Sequence, residues 1–244
     1  MLPFQIKICG ITSVDAARQA CAVGADAIGL NFYPKSVRFL DDNTASEIVA
    51  EIHRLADDQE PVRNYGVFVN ESIDHLLAKQ AVIGLGGIQL HGNETPEFAV
   101  ELKSKLPDDV LLMRAIRSRP PMRQGEVDRT ELARVAEEIR AWKSTGVTLL
   151  IDAKVEGAFG GTGHHVAWKL IPALVEQTDV PLVLAGGLDP WNVADAIRAS
   201  QAMAVDVASG VESDPGVKDP ERVEKFVQQA KLAFGSLNVC SEEK

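Results

Sequence analysis

Short aliphatic runs alternate with longer stretches of helical periodicity eight times along this chain. The runs fall near 5–9, 27–32, 65–69, 87–91, 110–116, 148–152, 182–185 and 204–208, and each predicts a strand. The stretches between and after them predict helices near 13–23, 44–56, 72–82, 95–105, 130–143, 166–177, 190–199 and 220–234. Several runs are nearly continuous in Val, Ile, Leu and Ala, the pattern of strands covered on both faces. Helix starts are marked as well. Thr12 with Asp15 has the spacing of a capping box. Pro190 and Pro220 suit a first helical turn, where a missing N–H costs nothing.

Eight strand–helix units predict an α/β protein built as one (β/α)8 TIM barrel spanning 1–244. An open doubly wound sheet usually has fewer strands and a glycine-rich turn after the first. Here the first turn is Cys9-Gly10-Ile11-Thr12, and the glycine clusters come late. Residues 235–244 read as a frayed tail. The connection 117–129 holds two prolines, a glycine and four arginines on the face where barrel enzymes keep their sites. It reads either as a solvated variable loop or as a lid over substrate.

Composition narrows the class. The 244 residues are 45% hydrophobic but only 5% aromatic, so the core must be aliphatic, which suits a barrel. A net charge of −10 without a Lys/Arg block argues against nucleic acid or an anionic membrane as partner. It leaves room for an anionic small molecule held by local donors. The three cysteines, Cys9, Cys21 and Cys240, are an odd set with no Cys-x-x-Cys pair, so neither a disulfide framework nor a metal site is expected. The N-terminus lacks the basic and apolar regions of a signal peptide, and no run approaches the ~20 apolar residues of a membrane span. The expectation is a cytoplasmic protein, monomer or homodimer.

Two strand endings carry reactive groups. Period-two alternation puts Lys7 and Cys9 on one face of the first strand and Ile6 and Ile8 on the other. The isoleucine face suits packing under helices, so Lys7 and Cys9 are expected in the barrel lumen. A nearby ammonium would favour the thiolate, but spacing alone also fits an inert buried cysteine. Asp152 ends the sixth strand. It reads as a catalytic carboxyl or as a loop-bracing one. Gln89 and His91 alternate inward on the fourth strand. Arg38, after the second strand, is either a carboxylate-binding fork or a surface charge. Gly160-Gly161-Thr162-Gly163, Gly186-Gly187 and Ser209-Gly210 follow strands six, seven and eight, where exposed backbone amides can cradle a phosphate.

Taken in order, these segments resemble the phosphoribosylanthranilate isomerase family of tryptophan biosynthesis. The matching stretches include Lys7-Ile8-Cys9-Gly10-Ile11-Thr12, Phe32-Tyr33-Pro34-Lys35-Ser36, Gln89-Leu90-His91-Gly92-Asn93-Glu94, Leu184-Ala185-Gly186-Gly187-Leu188 and Val205-Asp206-Val207-Ala208-Ser209-Gly210-Val211-Glu212. The resemblance implies a cofactor-free Amadori rearrangement of a phosphosugar, N-(5-phosphoribosyl)anthranilate, to 1-(2-carboxyphenylamino)-1-deoxyribulose 5-phosphate. It implies Cys9 as general base and Asp152 as general acid. Arg38 matches the holder of the anthranilate carboxylate. Lys7, His91 and Asp206 match lumen positions near the substrate. Gly186, Gly187, Ala208 and Ser209 match a phosphate site, with Gly161 as a third contributor.

The chain departs from the family pattern at Ala208, where serine is usual, at Arg114, where lysine is common, and in the long 117–129 connection. Arg114 and that connection put the details of substrate binding in doubt. Two other readings stay open on the residues: a different phosphorylated aminosugar as substrate, and a phosphosugar sensor without catalysis.

Overall fold

Parallel pairing runs in chain order from β1 (Ile6–Cys9) through β2 (Ala27–Asn31), β3 (Arg63–Phe68), β4 (Gly87–Leu90), β5 (Leu111–Arg117), β6 (Thr148–Asp152) and β7 (Leu182–Ala185) to β8 (Ala204–Val207). β8 then pairs with β1, and the sheet closes into a barrel. The computed structural model describes residues 2–56, 62–119, 128–152 and 168–242. Helices α1 (Val14–Ala22), α2 (Asp42–Leu55), α3 (Ile73–Ile83), α4 (Pro96–Lys105), α5 (Arg129–Lys143), α6 (Leu170–Thr178), α7 (Val193–Ser200) and α8 (Pro220–Glu242) separate and follow the strands. Every strand and helix expected from the pattern is present, with ends shifted by a few residues. A short hairpin, β9 (Glu212–Asp214) with β10 (Val217–Lys218), adds to the loop after β8.

Alternation sorts the strand residues into two cores. Ile6 and Ile8, Ile28 and Leu30, Ile88 and Leu90, Leu149 and Ile151, Leu182 and Leu184, and Val205 and Val207 pack outward under the helices. Ala27, Tyr65, Met113, Ala115, Leu150, Val183, Ala185 and Ala204 form a separate cluster inside the barrel, closed at its N-terminal end by Phe4. Phe4 meets Tyr65 edge-on, with ring centroids 5.7 Å apart. The lumen is therefore largely apolar at the bottom. Above that layer it turns polar, and there the functional groups begin.

Three local expectations are corrected. Thr12 does not cap α1. Ser13 does, accepting from the Ala16 amide, while the Thr12 hydroxyl donates 2.6 Å to the Gly216 carbonyl in the hairpin after β8. Pro190 lies ahead of α7, in the turn where Asp189 Oδ1 accepts from the amides of Trp191 and Asn192. α8 continues to Glu242 rather than ending near 234.

Candidate active site

Register aligns the site. Asp152 on β6 pairs with Ala185, Ala185 with Asp206, and Asp206 with Lys7 on β1. Cys9 stands one lumen position above Lys7, beside Gly29 of β2. A Cβ at Gly29 would come within 2.6 Å of the Cys9 sulfur, so glycine clears the space the thiol occupies. Cys9 and Asp152 thus both end lumen-facing strands on one rim, as the strand pattern predicts.

Lys7 is fully buried, with Nζ 3.0 Å from Asp206 Oδ1 and 3.0 Å from Gln89 Oε1. Burial pulls its ammonium down, but the Asp206 carboxylate and the neighbouring Cys9 outweigh that and hold its pKa above the ordinary lysine value. Lys7 was expected near the substrate. With no exposed surface, its ammonium lies in a polar layer shared with Asp206, Gln89 and Cys9. Asp206 is mostly buried, with Oδ1 turned to Lys7. Cys9 keeps a path to solvent, yet protein packs closely around its sulfur. Burial pushes the Cys9 thiol up. Lys7 pulls it down, Asp206 pushes it up, and Lys218 pulls it down more weakly; the net shift is upward. Lys7 therefore moderates the thiol without making it an unusually strong acid, because its charge is already matched by Asp206.

A pH dependence follows. Only the thiolate reacts with iodoacetamide, so a raised thiol pKa delays reaction to higher pH. In the ligand-free protein, alkylation at Cys9 followed by peptide mass should have its midpoint above the ~8.5 of a free thiol. A midpoint at or below that value would contradict the balance described.

Asp152 and His91 face each other across the mouth, His91 Nε2 lying 3.7 Å from Asp152 Oδ2 with each side chain partly exposed. The loop carrying His91 is clasped from several sides. The His91 amide donates 2.9 Å to the Phe68 carbonyl, and its carbonyl accepts 2.8 Å from Arg117 Nη2. Glu94 accepts from the amides of Gly92 and Asn70 and pairs with Arg114 Nη1 at 2.7 Å. Arg114 itself points outward, stacked over Trp142 at 5.2 Å, away from the lumen residues Met113 and Ala115. Its difference from lysine thus bears on the loop clasp and not directly on the mouth.

Arg38 lies at the rim, its stem crossing over Gly10. It is not an idle surface charge. Nε and Nη2 donate to the two oxygens of Glu212 at 2.6 and 2.7 Å, a bidentate fork. Glu212 also accepts from buried Lys218 at 2.8 Å, and Lys218 Nζ donates 2.9 Å to the Ala208 carbonyl. Burial raises the Glu212 carboxyl, but Arg38 and Lys218 outweigh it and hold it below the usual range. The Glu212 bonds raise Arg38 in turn. The fork leaves the Nη1 edge of Arg38 for a further acceptor. Glu212 and Lys218 were missed as site residues. Their one local signal is Asp214-Pro215-Gly216, a turn sequence that predicts the hairpin holding them.

The glycine-bearing loops after β7 and β8 abut. Gly186 and Gly187 take φ of 86° and 67°. A Cβ at Gly210 would land on the Leu188 carbonyl, so only glycine lets the two loops close up. Ala208 and Ser209 lead into the short turn Ser209–Val211 beside them. Gly161, His164, His165 and residues 120–127, with Arg123, lie outside the described residues. What is described of the 117–129 connection is its base, where the Arg119 amide donates 2.7 Å to Glu131 Oε1 and Arg134 Nη2 donates 2.7 Å to the Arg117 carbonyl. Among the described residues, no group of three or more His, Cys, Asp or Glu side chains is arranged to hold a metal.

The chain matches the family model for N-(5′-phosphoribosyl)anthranilate (PRA) isomerase over residues 6–229. It belongs to the PRA isomerase family. Relatives include the N-(5′-phosphoribosyl)anthranilate isomerases of Acinetobacter calcoaceticus, 38% identical over 91% of this chain and 94% of that protein, and of Myxococcus xanthus, 39% identical over 93% and 96%. Among solved structures, phosphoribosyl anthranilate isomerase from Thermotoga maritima superposes with a TM-score of 0.75 at 32% identity, covering 93% of this chain and 98% of that one. Another PRA isomerase structure, with a TM-score of 0.70 and 31% identity over 93% and 98%, is a complex with reduced 1-(o-carboxyphenylamino)-1-deoxyribulose 5-phosphate. PRA isomerases are aldose–ketose isomerases of tryptophan biosynthesis, and this chain carries their (β/α)8 barrel.

Proposed function

We propose that this PRA isomerase works by splitting proton transfer between Asp152 and Cys9. Asp152, as its carboxylic acid, protonates the furanose ring oxygen of N-(5-phosphoribosyl)anthranilate. The C1′–O bond breaks, and the anilino nitrogen supplies the electron pair that forms the Schiff base. Cys9, through the thiolate fraction that its raised pKa leaves, takes the C2′ proton; the freed pair forms the C1′=C2′ double bond as the C1′=N pair returns to nitrogen, giving an enolamine. Protonation at C1′ and loss of the hydroxyl proton at C2′ give the ketone. Every bond change is a proton transfer or a shift of a bonding pair within the substrate, so the chemistry calls for no cofactor. The observation that supports this division is the shared rim, where Cys9 and Asp152 end lumen-facing strands joined by the Asp152–Ala185–Asp206–Lys7 register row.

The remaining contacts follow the chemistry of the substrate. The backbone at Gly186–Gly187 and Ala208–Ser209 takes the phosphate, with Gly161 as third contributor. The Arg38 Nη1 edge takes the anthranilate carboxylate, while Glu212 and Lys218 hold the guanidinium at the rim. His91 and Asp206 line the sugar. The protein acts on this small molecule in the cytoplasm, as monomer or homodimer, without nucleic acid or membrane. A net charge of −10 disfavours nucleic acid and an anionic membrane as partners, and among the described residues no helix is long and apolar enough to cross a membrane.

The direct test is loss of substrate fluorescence when purified protein meets fresh N-(5-phosphoribosyl)anthranilate. Within that assay, Arg38→Ala should raise KM by at least about tenfold with a smaller change in kcat, because a charge-assisted contact is worth roughly 1.5–3 kcal/mol. Arg38→Lys should not restore KM, since an ammonium cannot form the fork to Glu212. An unchanged KM in Arg38→Ala would remove the carboxylate from Arg38.

A further inference from the structure

A chain of polar contacts crosses the barrel lumen from Asp206 to Asp152. Asp206 Oδ1 lies 3.0 Å from Lys7 Nζ, Lys7 Nζ 3.0 Å from Gln89 Oε1, Gln89 Nε2 3.1 Å from His91 Nδ1, and His91 Nε2 3.7 Å from Asp152 Oδ2. Each link fixes the next. An ammonium has donors only, so the Gln89 atom that meets Lys7 must be its carbonyl oxygen. That orientation leaves the Gln89 amide N–H₂ against His91 Nδ1. Nδ1 must then be the acceptor, and the proton of the neutral ring sits on Nε2, the nitrogen that faces Asp152. The His91 backbone is tied at both its amide and its carbonyl, which fixes the main chain from which the ring projects.

The layer beneath these contacts, with Tyr65, Met113, Leu150 and Val183, is a largely apolar cluster of buried side chains. Buried ion pairs often contribute less than apolar residues of the same volume. A Lys–Gln–His array at this height therefore points to a use beyond packing.

We propose that Gln89, oriented by Lys7, is a positioning residue that locks His91 as its Nε2–H tautomer and so aims a single N–H at the Asp152 carboxyl. This rests on Asp152 being the general acid. A carboxyl group has two oxygens and can place its proton on either. An N–H aimed at Oδ2 engages that oxygen as an acceptor, which leaves Oδ1 to carry the proton toward the substrate. The 3.7 Å separation is longer than a hydrogen bond and must shorten in the reacting complex for this contact to form. His91 would then also share the negative charge left on Asp152 after transfer.

The test pairs spectroscopy with kinetics. In ligand-free, ¹⁵N-labelled protein at mildly alkaline pH, long-range imidazole correlations should report His91 as the pure Nε2–H tautomer, assigned by its loss in His91→Asn. Gln89→Leu should turn it into a tautomer average. Gln89→Leu should lower kcat by at least about tenfold with KM held within about twofold, His91→Asn should lower kcat at least as far, and the double variant should fall no further than His91→Asn alone. Gln89→Met, closer in shape, serves if Gln89→Leu folds poorly. An Nδ1–H tautomer in the wild type, wild-type kcat in a folded Gln89 variant, or additive losses would each overturn the proposal. Full activity in Asp152→Asn would instead overturn the acid assignment, whatever the Gln89 variants do.

Discussion

Cys9→Ala is expected to lower kcat by about 10²–10⁴-fold, equal to roughly 3–5 kcal/mol of transition-state stabilisation, while the barrel stays folded. The reason lies in what the sulfur does and does not hold up. Lys7 keeps both Asp206 and Gln89 when the thiol is gone, so no buried charge is left unpaired. Cys9 sits at the partly open mouth over Gly29, where a methyl group fits the cleared space. Stability should change by less than about 1 kcal/mol, within the range of ordinary mild substitutions. Substrate binding should persist, because neither the phosphate loops nor Arg38 depends on the sulfur. The loss thus belongs in kcat, with KM little changed. Steady-state kinetics beside a thermal melt checks both halves. Turnover near the wild-type rate would remove Cys9 from the chemistry.

Asp152→Asn should cost a similar 10²–10⁴-fold in kcat. An amide matches the carboxyl in shape but cannot deliver a proton to the ring oxygen. The side chain is 20% exposed, and among the described residues its ion pair is with His91, itself partly exposed, so its loss leaves β6 undisturbed. The strand itself is fixed by its pairing with β5 and β7, which the substitution leaves untouched. Again the fold and the binding of a product analogue should survive. A variant that retains turnover would leave ring opening to some other donor, and the shared-rim account of this site would fail with it.

The barrel and the two reactive strand ends were legible because they are local facts. A period of two within Ile6–Cys9 already separates Lys7 and Cys9 from Ile6 and Ile8. The same rule on β5 puts Met113 and Ala115 inside and therefore Arg114 outside, which moves its difference from lysine from the mouth to the loop clasp. What the sequence hid is pairing across distance. Lys7 meets Asp206 from 199 positions away and Gln89 from 82, and Arg38 meets Glu212 from 174. No local pattern announces such partners, so Lys7 looked like a free ammonium beside a thiol and Arg38 like an open fork. Their partners change the chemistry. Lys7 spends its charge on Asp206, the thiol stays protonated to higher pH, and Arg38 offers one edge instead of two. Thr12 and Pro190 were misread for a related reason. Each has the residue type of a helix start, but Thr12 bonds the distant hairpin and Pro190 serves the turn ahead of α7.

The division of labour between Asp152 and Cys9 can be read from one isotope experiment. With substrate deuterated at C2′, Cys9→Ser makes removal of that proton the slow step, so its residual turnover should carry a full primary isotope effect. Asp152→Asn makes ring opening slow, before the C2′ bond is touched, so its isotope effect should collapse toward unity. The reverse pattern, or the same effect in both variants, would contradict the assignment of Cys9 as the base at carbon and Asp152 as the acid at the ring oxygen.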